Sequence, residues 1–134
     1  MLTQGALTRV ADTVMWLGQP ETAALLDRAA GSGSDLSGPD LWQLAQILRV
    51  SVINLQDARI QHGEGLVDRA TLENAERGFL FWMRMPVMRR LYNSAVRPNV
   101  AAEIRPYLDA LIEKAPPPAP YDIRAFLQGA LPQT

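Results

Sequence analysis

The stretch over residues 39–62, PDLWQLAQILRVSVINLQDARIQH, constrains the fold of this chain more than any other. At about 100° per residue, Leu41, Leu44, Ala45, Leu48, Val52 and Leu55 share one helical face. Trp42, Ile53 and Ile60 make a second apolar strip about a quarter turn away. A helix apolar on two faces is expected at the centre of a fold, packed on both, so a buried Trp42 would contribute about 3–5 kcal/mol. Gln43, Gln46, Asn54, Asp57 and Gln61 close the cylinder as one polar stripe open to water. The expected architecture is all-α: an antiparallel bundle or array of about five to six helices around a central helix over residues 39–62.

The rest of the chain supplies the neighbours that such a helix needs. Leu2, Leu7, Val10, Ala11, Val14 and Leu17 recur at helical spacing, with Met15 and Trp16 widening the face, and predict a helix over residues 3–17 ending at Gly18. Pro20 and Glu21 suit the first turn of a short second helix, and the loop GSGSDLSG over residues 31–38 is the clearest break in the chain. Ser37 or Gly38 caps the central helix, and Gly63 and Gly65 end it. Asp68 caps a third helix over residues 66–85, folded back antiparallel, with Leu72, Ala75, Phe79 and Trp82 as its inner stripe. Pro86 opens a fourth helix across residues 87–95. Asn99 is the expected N-cap of a fifth over residues 100–114, with a kink or a restart at Pro106.

Residues 1–115 therefore form the expected helical domain and residues 116–120 a Pro-rich linker, with a short amphipathic helix in the C-terminal segment 121–134. Ile123, Phe126, Leu127, Ala130 and Leu131 give that last helix an apolar face capped by Asp122. Docking through Phe126 and Leu127 onto its own domain is expected, since such a stripe is normally hidden.

Composition narrows the function classes. A chain of 134 residues can bury a sizeable core, and 48% apolar with 20% charged residues argues against disorder. The absence of cysteine removes disulfides, thiolate catalysis and zinc-thiolate sites, so a cytoplasmic chain is expected. No run approaches the 18 or so apolar residues of a spanning helix, and Arg9 and Asp12 interrupt the N-terminal pattern. Membrane association would then come through a segment outside this chain.

Net charge is −1, but unevenly spread. Residues 1–76 carry five Arg against ten Asp and Glu, whereas residues 77–105 carry six Arg against Glu103 alone. The basic segment either neutralises neighbouring acidic helices or meets an acidic partner or anionic lipid. FLFWMRMPVMRR, over residues 79–90, mixes aromatics, Met and Arg in that segment. Arg84, Arg89, Arg90, Arg97, Phe81 and Met85 are the candidate contacts for a partner or an anionic surface, with Phe79 and Trp82 assigned to the core.

No catalytic, cofactor-binding or metal-binding residue is assigned, and no cofactor is expected. His62 is the only histidine, without the paired spacing a metal site needs, and Asp57, Glu64 and Asp68 are ordinary acids around one turn. No GxSxG, P-loop or dinucleotide fingerprint occurs.

Two resemblances follow. Residues 41–55, LWQLAQILRVSVINL, resemble the last two helices of a helix-turn-helix repressor domain. Arg49 stands where that family usually has Gly, and residues 20–38 are acidic to neutral rather than a basic recognition helix. The second rests on Arg49, Asn54, Gln61, His62, Gly65, Leu66 and Asp68, then Met85, Pro86, Arg89, Leu91 and Tyr92, and then PYLDALI over residues 106–112. This order resembles a group of uncharacterised bacterial helical proteins, many of which join such a domain to an N-terminal membrane helix. The resemblance implies the helical fold and carries no activity. The expectation is a non-catalytic protein-interaction module, at the cytoplasmic face of a membrane, with a DNA-binding regulator as the alternative. Protein partners and an anionic membrane surface come first, nucleic acid after them, and a homo-oligomer stays open.

Overall fold

The computed structural model describes Met15 and residues 17–129. The expected first helix lies almost wholly outside them, as do Ala130 and Leu131. The described residues are all-α. Helix α1, Pro20–Ala30, starts with Pro20 in its first turn, where a missing N–H costs nothing, and buries Thr22, Leu25, Ala29 and Ala30. The loop after it depends on Gly33, at φ 70°, where an added Cβ would stand 3.2 Å from the Val87 side chain.

Helix α2, Gly38–Gly63, is the 26-residue centre of the fold. Its start is fixed by a capping box: Ser37 Oγ accepts from the Asp40 amide at 3.2 Å, and the Asp40 carboxylate accepts from the Ser37 amide at 3.0 Å. Arg28 reaches the same carboxylate at 3.3 Å and ties α1 to this cap. Its end is a Schellman turn, with Leu66 N–H donating to Gln61 at 2.8 Å, Gly65 N–H to His62 at 3.0 Å, and Gly65 at φ 74°. The helix runs unbroken through Arg49, so the turn of a helix-turn-helix unit is not formed there.

Helix α3, Arg69–Met83, is capped by Asp68, which accepts from both the amide and hydroxyl of Thr71 at 2.8 Å. It folds back along α2. Helix α4, Pro86–Leu91, continues into a π turn over Tyr92–Val96 and a 3-10 turn over Arg97–Asn99. Helix α5 is Arg105–Lys114 and α6 is Ile123–Gln128. The chain restarts at Arg105 with Pro106 in the first turn, rather than running as one helix from residue 100, because a proline ring fits there and not deeper. Asn99 caps nothing; its side-chain amide donates to Ala95 at 3.1 Å.

The core lies on one side of α2. Leu44, Leu48 and Leu55 are fully buried against Phe79 and Met83 of α3, Met88 of α4, Tyr92 and Leu108. Phe79 and Tyr92 meet edge to face at 5.5 Å. Trp82 is only half-buried, packed at the edge of this cluster.

The other side of α2 corrects the sequence reading. Trp42 is 67% exposed, Ile60 53% and Ile53 43%. The neighbouring helices are short and approach from one direction, so they cover one apolar face and leave the second in solvent. Gln61, expected in the polar stripe, is buried instead, and its Oε1 has no hydrogen-bond partner. The expected linker is extended but strapped down: Ala119 N–H donates to Arg84 at 3.3 Å and Tyr121 N–H to Ala30 at 2.8 Å.

Candidate interaction surface

Along the exposed side of α2, Trp42, Gln46, Arg49, Ile53, Gln56 and Ile60 follow one another at intervals of four, three, four, three and four. That alternation is the seam of a heptad repeat, which keeps a line of side chains facing a second helix. Arg49 is exposed, and Gln46 and Gln56 are half-buried beside it.

A groove runs along this seam. One cleft of about 330 Å³ lies between Gln46, Arg49, Ile53 and Gln56 on α2 and Val96, Asn99, Val100 and Ala101 opposite. A second, of about 340 Å³, lies between Gln56, Arg59 and Ile60 and residues Ala101, Glu103 and Ile104. Gln56 and Ala101 line both, so the two are continuous.

The far wall has no long regular element and is braced by side chains. Arg97 grips Asp109 in a bidentate pair, at 3.0 Å from Nε and 2.7 Å from Nη2. The guanidinium holds the Asp109 carboxyl below the usual carboxylate range, and the carboxylate raises Arg97 in turn. Arg105 donates to the carbonyls of Val100 at 2.9 Å and Pro98 at 3.0 Å. At the other end, the Arg59 guanidinium sits 4.0 Å over the Tyr107 ring, and the Tyr107 hydroxyl donates to Glu76. Burial, then the Glu76 carboxylate, pushes the Tyr107 hydroxyl above its ordinary pKa. Behind the wall, burial and then the Asp109 charge push the Tyr92 hydroxyl up to about 12.

The residues expected to form an arginine-rich contact are not brought together as one. Met85 is fully buried. It sits between α3 and α4 in extended backbone, at φ −83° and ψ 124°, so its side chain leaves the helical spacing of α3 and enters the core. Arg97 is committed to Asp109. Arg89 is half-buried with its Nε unpartnered, and burial lowers its pKa. Arg84 and Arg90 remain exposed, and Phe81 is half-buried.

Of the C-terminal candidates, Phe126 comes to Arg84. Its guanidinium lies 5.4 Å from the Phe126 ring, which is 6.3 Å from Phe81 and 5.9 Å from Tyr121. Arg84, Tyr121 and Phe126, together with the proline arm, line a cleft of about 390 Å³. Helix α6 thus rests on its own domain through Ile123, half-buried against the core, and through the Phe126 ring, with Phe126 still 45% and Leu127 57% exposed.

Among the described residues, no group of three or more His, Cys, Asp or Glu could hold a metal ion. His62 places Nδ1 3.3 Å from the Val67 carbonyl, a local contact at the end of α2. Among the same residues no helix is long and apolar enough to cross a membrane. Compared with known proteins, the chain matches no family model, no curated protein and no solved structure. Sequence reasoning placed Gln46 in the water-facing stripe but assigned neither it nor Arg49 and Gln56 to an interaction surface. Their spacing was readable; which side of α2 faced water was not.

Proposed function

We propose that the protein is a non-catalytic interaction module that docks a helix of another polypeptide along the outer seam of α2. One observation carries this: three large apolar side chains stand exposed in line on the helix whose other apolar face is the core. Scattered exposed apolar residues are ordinary, but an aligned set at heptad spacing beside a groove offers a partner helix a contact line. Each such side chain, if fully buried, contributes up to about 1.5–3 kcal/mol, enough in sum for a reversible complex. A photoreactive residue placed at Ile53 in living cells should form a covalent protein adduct. The same residue at Arg69, on the exposed start of α3, should form none. Absence of an adduct at Ile53 removes the reading.

A second reading has separate support. Arg84 and Arg90 are exposed, and the exposed Leu127 lies on α6, which packs beside Arg84. Cations next to apolar side chains suit an anionic membrane surface at the cytoplasmic face. Binding to anionic vesicles should then weaken with salt and be lost on joint Arg84→Glu and Arg90→Glu substitution. Equal binding to neutral vesicles would exclude it.

A further inference from the structure

We infer that the occupant of the seam is an acidic amphipathic helix of another protein, which sets a carboxylate opposite Arg49 and apolar side chains on Trp42, Ile53 and Ile60. The inference rests on the docking reading above and adds the chemistry of the partner. Charge selects it. Arg49 is the only charged residue among those lining the first cleft, where its neighbours are the amides of Gln46, Gln56 and Asn99 and apolar side chains. Among the described residues it makes no ion pair. The nearest acid on its own helix, Asp57, is about 12 Å further along the axis.

The wall opposite adds to that positive field. Arg97 is neutralised by Asp109, but Arg105 spends its donors on the carbonyls of Val100 and Pro98 and makes no ion pair among the described residues. The Ile60 end is balanced instead. Arg59 and Glu103 line the second cleft together, Arg59 lies over the Tyr107 ring, and Glu64 stands exposed just past Ile60. A complementary partner therefore carries an acid at Arg49 and none at Ile60.

Geometry supplies the rest of the pattern. From Trp42 to Ile60 the line is about 27 Å long, so the partner offers a helix of about 19 residues. Its contacts follow the same intervals of four and three: apolar over Trp42, Ile53 and Ile60, polar over Gln46 and Gln56, acidic over Arg49. An apolar residue over Arg49 would desolvate the guanidinium and give it no counter-charge. A nucleic-acid phosphate pairs with Arg49 but leaves the three apolar side chains against a polar backbone. A flat lipid surface does not fill a groove between α2 and its wall. A second copy supplies another Arg49 and no acid on the same line.

The full-length chain is titrated with fluorescent helical peptides of about 21 residues, carrying Leu at the three apolar contact positions, Gln at the two amide positions, and Glu or Lys at the position facing Arg49. Each is made in a version for parallel and a version for antiparallel docking. In one orientation the Glu peptide should bind about tenfold or more tighter than its Lys counterpart and weaken with salt. Arg49→Gln should abolish that preference and Arg49→Glu should reverse it. The reversal is a gain of binding by the Lys peptide, which an unfolded variant cannot show. Arg69→Glu, an equal charge change on the exposed start of α3, should leave the preference as it was. Equal affinity for the Glu and Lys peptides, a preference that survives Arg49→Glu, or no binding below about 1 mM overturns the inference. Self-association that Ile53→Lys abolishes gives the seam to a second copy and overturns it too. If the Ile53 photoadduct forms in cells while the peptides show no charge preference, the docking reading stands and only the acidic partner is lost. With neither adduct nor peptide binding, both fall.

Discussion

Leu48 and Ile53 stand five residues apart on the same helix, are both large and apolar, and end in opposite environments: Leu48 is fully buried, whereas Ile53 is 43% exposed. The inner side of α2 faces a core built from parts of four helices and a π turn. Among the described residues, the outer side has beside it only the groove wall over residues 96–104, held by the Arg97–Asp109 and Arg105 brace. An apolar face signals that a contact is made, not that the contact is within the chain. Among the described residues, a helix of 26 residues flanked by helices of 15 residues or fewer has more apolar periphery than those neighbours cover.

The contrast should be largest in stability. Leu48→Ala on the inner side should cost about 2–5 kcal/mol in denaturant melts, through lost transfer energy and a cavity. A loss under about 1 kcal/mol would erase the difference between the two sides. A smaller effect should come from the brace of the groove wall. Asp40, Asp68 and Asp109 are held below the ordinary carboxylate range, first by the Ser37 backbone, the Thr71 backbone and Arg97 respectively. Their folded pKa values lie below the unfolded ones, so the unfolded chain binds more protons and stability falls as pH falls. That contribution is complete above about pH 5 and disappears as pH drops through the folded values. Asp109→Asn should flatten the fall in denaturant midpoint between about pH 5 and pH 3, and an unchanged slope would mean that the pair is not formed in solution. The smallest change is expected on the outer side, where Trp42→Ala should move monomer stability by no more than about 0.5 kcal/mol, measured at dilution. A loss of 3–5 kcal/mol, as expected for a buried ring, would place Trp42 inside after all.

Much of the fold was legible because it depends on local chemistry. Ser37, Pro39, Gly65, Asp68 and Pro86 mark helix ends through their own hydrogen bonds or backbone limits, and the observed boundaries follow them closely. The restart at Pro106 was one of two readings that the sequence left open. Met85, Arg97 and Gln61 were misplaced for a common reason. Each has a fate decided by residues far along the chain or by an interruption of helical spacing: Met85 by the break between α3 and α4, Arg97 by Asp109 twelve residues away, Gln61 by the packing around the end of α2.

The amino-acid order by itself determined that α2 would be long, capped at Ser37, closed at Gly65 and apolar along two lines, since periodicity and end chemistry act within a few residues. Only the tertiary structure decided which line became core and which became a surface. That choice depends on the direction from which the other helices approach, and Trp42, Ile53 and Ile60 are as hydrophobic on the exposed side as they would be in the interior.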